Sequence, residues 1–80
     1  MTVYVVVSDT IAYGQSCHGL HGVYQSIESA QQSAMSTIIS TAQRYGYNII
    51  ADDIVVQDED YLYENNKIDI VVSCIEQELS

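Results

Sequence analysis

The sequence predicts an α+β fold, a two-layer sandwich of order β-β-α-β-β in which one helix packs on one face of an antiparallel sheet. Three observations lead there. Period-two runs of β-branched residues stand at both ends of the chain, a helical stripe with spacings of three and four lies between them, and small residues on that stripe let a helix lie close to a sheet. Eighty residues make one domain, residues 1–80, with no room for a second. A chain of this length buries only about 60–65% of its unfolded surface, so a single core supplies modest stability, on the order of 3–5 kcal/mol.

The first element is residues 2–8, TVYVVVS, with Val3, Val5 and Val7 on one side and Tyr4 and Val6 on the other. Apolar residues on both faces place it inside the sheet. Residues 9–16, DTIAYGQS, read as a turn-rich stretch around Gly14. The chain then returns over residues 17–24, CHGLHGVY, as an antiparallel strand in which Leu20 and Tyr24 point away from His21 and Val23. Gly19 and Gly22 inside that strand mark a bulge or a close backbone approach.

Ser26 is a good N-cap and Glu28 suits the positive end of a helix dipole, so a helix starts at Ile27. Ile27, Ala30, Ala34, Ile38, Ala42 and Tyr45 form its buried stripe, widened by Met35 and Ile39, and Gly46 ends the helix after residue 45. Period two resumes in residues 50–57, IADDIVVQ, and 67–75, KIDIVVSCI, which read as strands with Ile68, Ile70, Val72 and Cys74 facing one way. Between them lies the acidic segment DEDYLYENN. Residues 61–64 extend the hairpin, and Asn65-Asn66 tolerates the positive φ of a tight turn.

Charge separates the plausible functions better than any motif does. Eleven acids stand against Arg44 and Lys67, for a net charge of −9, which argues against direct binding of nucleic acid or an anionic membrane and toward a basic partner. Nine of the eleven carboxylates fall between Asp52 and Glu78, so residues 51–80 carry −8 and residues 1–50 only −1. Scattered charge serves solubility, whereas a one-sided acidic surface suits the binding of something basic. The contact residues expected from this are Asp52, Asp53, Asp58, Glu59, Asp60, Glu64 and Asp69, with Tyr61 and Tyr63 as aromatic anchors. A domain about 30 Å across matches a length of duplex DNA bearing roughly 18 charges, so nine carboxylates give partial mimicry, and a homodimer would double the charged length.

Other constellations are weaker. Cys17, His18 and His21, with Cys74 as a fourth donor, suggest a small ligand- or metal-binding module. Adjacent strand residues, however, point to opposite faces, and His18 and His21 also differ in parity, so no bound metal or other cofactor is expected. A catalytic Cys17–His21 pair would need a substrate pocket that 80 residues hardly wall, and a non-enzymatic protein is the reading that follows. DEDYLYENN lacks the glycine and spacing of a calcium loop. The start MTVYVVVSD has none of the parts of a signal peptide and no run is long enough to span a bilayer, so a cytoplasmic protein with two free thiols is expected. All seven aromatic residues are tyrosines, each with a hydroxyl that wants water or a partner.

Tyr4-Val5-Val6, Tyr13-Gly14 and His21-Gly22-Val23-Tyr24, followed by Ser26, Glu28 and Ala30, resemble small bacterial and phage proteins that begin YVV, carry HGVF or HGVY, and continue S-x-E-x-A into a helix. The resemblance covers residues 2–34. Small acidic single-domain proteins of this kind also look like phage-encoded inhibitors of host defence, anti-CRISPR and anti-restriction proteins among them. That implies an inhibitor of a host protein in the host cytoplasm, with no binding residue carried over.

Overall fold

The first apolar run continues past Ser8. In the computed structural model, which describes residues 1–79, β1 (Thr2–Ala12) carries on through Asp9, Thr10 and Ile11 and turns back at Tyr13-Gly14 into β2 (Gln15–Tyr24). The stretch expected as a loop is therefore mostly strand. Tyr13 and Gly14 have φ of 52° and 81°, the two left-handed residues of a tight hairpin turn whose twist matches the flanking strands. Thr10 and Ala12 alternate inward with Ser8 and Val6, and this period-two burial is what extends the strand.

β2 contains the bulge that its glycines announce. Val6 pairs with Gly22 and Val7 with Leu20, which leaves His21 as the extra residue. The shift changes the facing read from simple alternation. Leu20 pairs with Val7 and Val23 with Val5, on one side of the sheet, whereas Tyr24 pairs with Tyr4 on the other. A Cβ on Gly22 would stand 2.8 Å from the Tyr24 hydroxyl, which itself donates to Ser33 at 2.9 Å.

α1 (Ile27–Arg44) begins and ends where its caps dictate. The Ser26 hydroxyl accepts the Ser29 amide at 3.2 Å. At the other end the Gly46 amide bonds the Gln43 carbonyl and the Tyr47 amide the Ala42 carbonyl, at 3.0 and 2.9 Å, the paired bonds of a Schellman stop. Ala30, Ala34, Ile38, Thr41 and Ala42 are buried on the sheet, and Met35, Ile39 and Tyr45 pack at the margin.

Downstream, the expected strand over residues 50–57 is shorter. Ala51–Asp53 forms a 3-10 turn, closed by the Asp53 carboxylate accepting the Ile50 amide at 2.9 Å, because aspartate competes for nearby backbone donors. Only β3 (Val55–Gln57) remains extended. β4 (Asp60–Glu64) is a strand in its own right and β5 (Ile68–Glu78) completes the sheet, so the order is β-β-α-β-β-β with one strand more than expected. The turn before β5 works through the Asn65 side chain, which accepts the Lys67 and Ile68 amides at 2.8 and 3.0 Å. Positive φ occurs instead at Asp58, 52°.

All five strands run antiparallel in the spatial order β2-β1-β5-β4-β3. One face packs on α1 through Val6, Ile68, Ile70, Val72, Cys74 and Tyr61. Among the described residues the second layer is α1 alone, and no helix or strand lies over the other face of the sheet. Among the described residues no helix is long and apolar enough to cross a membrane.

Candidate interaction surface

Strand alternation decides which of the expected contact residues can meet a partner. Asp60, Leu62 and Glu64 of β4 pair with Ser73, Val71 and Asp69 of β5 on the uncovered face, while Tyr61 and Tyr63 pair with Val72 and Ile70 on the face under the helix. Tyr61 is only 6% exposed. Burial raises its phenol pKa above the ordinary tyrosine value. Tyr61 is thus a core residue and not an anchor for a partner, and Tyr63 is half-buried beside it.

The acidic residues themselves divide into three places. Asp58 and Glu59 make the turn between β3 and β4 and are exposed. Asp52 and Asp53 lie in the 3-10 turn near the far end of β4. Asp60, Glu64 and Asp69 stand on the uncovered face, where the Ser73 hydroxyl donates to Asp60 at 2.7 Å. Among the described residues, none of these seven carboxylates is in an ion pair.

The strands bring three of them together around an apolar floor. Ile11, Val55, Leu62 and Val71 line a shallow groove of about 540 Å³, and Asp53, Glu64 and Asp69 border it. Ile11 is 51% exposed and Val55 56%. An antiparallel sheet with one free face ordinarily turns polar residues to water there, so apolar residues in a row on that face make it the candidate contact surface. Reasoning from the sequence missed these aliphatic residues. The signal was present in D60-x-L62-x-E64, where parity joins the leucine, and not the tyrosines, to the acids.

The cysteine and histidine cluster is taken apart by the same alternation. Cys17 pairs with Thr10 and His18 with Asp9, on opposite faces. His18 Nδ1 bonds the Asp9 carboxylate at the surface. The bulge turns His21 toward the helix side, where its Nε2 lies 2.6 Å from the Ser8 hydroxyl. Gly19 permits this, since a Cβ there would stand 3.0 Å from that nitrogen and 3.2 Å from the hydroxyl. Cys17 is exposed; Cys74 is buried, its Sγ 3.5 Å from the Ala30 carbonyl oxygen, and burial raises its thiol pKa. Among the described residues no three His, Cys, Asp or Glu side chains converge on a metal-sized site.

The chain matches no protein-family model, no curated protein and no solved structure.

Proposed function

We propose that this chain is a non-enzymatic interaction protein that blocks a basic, nucleic-acid-binding surface of another protein, in the manner of a phage inhibitor of a host factor. The observation that carries the reading is the groove on the uncovered face of the sheet, where Asp53, Glu64 and Asp69 border a floor of Ile11, Val55, Leu62 and Val71. Lysine and arginine side chains fit such a surface, with their aliphatic stems on the apolar floor and their charged heads among the carboxylates. Uncompensated carboxylates raise the encounter rate with a basic surface, and burial of the floor slows escape. Asp52, Asp58 and Glu59 add to the same field from the adjoining turns, so the mimicry of a phosphate backbone is partial and electrostatic.

Affinity capture from a lysate of the native host tests the proposal. The parent chain should retain a protein with a basic nucleic-acid-binding surface, release it as salt rises, and lose it to added duplex DNA. An Asp53→Asn, Glu64→Gln, Asp69→Asn triple variant should retain little. Equal retention by parent and variant, or a retained protein indifferent to salt and to DNA, contradicts it.

A further inference from the structure

The two edges of the sheet differ in a way that the acidic surface does not explain. β3, at one edge, has three residues and is flanked by Asp52, Asp53, Asp58 and Glu59. A short edge hemmed by charge resists pairing with another strand. β2, at the other edge, has ten residues and contains no Asp, Glu, Lys or Arg. Its bulge at His21 bends one end but leaves residues 15–20 in regular register with β1. Five of those six residues are exposed, and Leu20 is 69% exposed.

We infer that the free edge of β2 pairs antiparallel with the β2 edge of a second copy of this chain, joining two five-strand sheets into one of ten. Charge is what selects a second copy as the occupant. A net charge of −9 opposes most modes of self-association, but the charge lies in residues 51–80, and β5, β4 and β3 are the strands farthest from β2. In the joined sheet β5 stands five strand spacings from its counterpart, about 24 Å at about 4.8 Å each. That exceeds two screening lengths, each about 8 Å at physiological salt. The half of the chain that carries only −1 meets itself, and the acidic halves point outward.

A twofold axis normal to the sheet keeps both helices on the same side and pairs residues that share a face. Within residues 15–20 this centres the contact on Cys17 opposite Cys17 or on His18 opposite His18. In the first case the Cys17 residues are directly across from each other, and in the second they are diagonal neighbours, about 7–8 Å apart. Leu20 extends the apolar stripe of Val7 and Val5 across the junction, because it lies on their side of the sheet.

Sedimentation equilibrium from about 10 µM to about 1 mM, the range suited to a small edge contact, tests this directly. The parent should approach twice the 8.9 kDa chain mass, with association unchanged or tighter as salt rises. Cys17→Lys and Leu20→Lys, each at an exposed position, should both sediment as single chains with the parent's circular-dichroism spectrum, while Val56→Lys, exposed on the opposite edge, should still dimerise. A short bis-maleimide should link the dimer through Cys17 and fail with Cys17→Ser. A parent of single-chain mass throughout, a dimer that survives both edge lysines, or a dimer that yields no Cys17 link overturns the inference. Failure here leaves the acidic groove untouched, since its lining comes from β1, β3, β4, β5 and the 3-10 turn and includes no residue of β2.

Discussion

Asp60 and Tyr61 are neighbours in the chain and sit on opposite faces of the sheet: the Asp60 carboxylate accepts the Ser73 hydroxyl at 2.7 Å on the uncovered side, and the Tyr61 ring is buried under the helix. This alternation divides the acidic segment into an uncovered face and a core face. It also assigns different consequences to adjacent substitutions. Leu62→Ala, on the groove floor, should speed dissociation from a bound partner and leave the fold intact. Tyr61→Ala should instead lower stability by about 3–5 kcal/mol, the cost of emptying a buried aromatic site, which is comparable to the whole stability of the domain and should leave little or no folded baseline in urea. Urea titration and dissociation rates of the two variants separate these outcomes.

The contact between α1 and the sheet depends on small residues. Ala34 is fully buried there, and Ala34→Asp would place an unpaired carboxylate against the strands. The expected loss is about 3 kcal/mol or more, comparable to the whole stability of a domain this small. A thermal melt should show no cooperative transition, and a melt like that of the parent would contradict the packing.

Ser8 is 9% exposed and its hydroxyl relies on His21. His21→Ala should cost about 1–3 kcal/mol, the usual penalty for leaving a buried polar group unpaired. Gly19→Ala should cost a similar amount by pressing on the same bond. Urea midpoints of the single and double variants test the shared cause, because two changes acting on one bond should fall short of additivity.

Glu78 ties the strand ends together. The Thr2 hydroxyl donates to it at 2.7 Å and the Met1 ammonium at 3.1 Å, and these bonds hold its carboxyl below the ordinary glutamate value. A lowered folded pKa adds stability that is complete above the unfolded carboxyl pKa and is lost as pH falls through the folded one. Thermal melts between neutral and acid pH should therefore show a smaller acid loss for Glu78→Gln than for the parent, and Thr2→Val should lie between them.

Much of the fold is legible in the sequence because its signals are local. Ser26, Gly46 and the Ala30/Ala34/Ile38/Ala42 stripe define the helix by capping and periodicity, and Ile68 to Cys74 define β5 by alternation. Two strand boundaries are harder because they depend on distant partners. Asp9 to Ala12 is strand through pairing with residues 68–71, and Asp60 to Glu64 through pairing with residues 69–73. The acidic residues of the surface are visible as a charge run. Its apolar floor is assembled from β1, β3, β4 and β5, so Ile11 and Val55 become neighbours of Leu62 only after the sheet forms.

In the proposed function, carboxylates at this groove set the approach of a basic partner. The most direct measurement is the association rate with the captured partner as a function of ionic strength, for the parent and for the Asp53→Asn, Glu64→Gln, Asp69→Asn variant. The parent rate should be fast at low salt and fall steeply as salt screens the field, while the variant should associate more slowly with a flatter salt dependence. Equal rates and equal slopes for the two proteins would contradict the account.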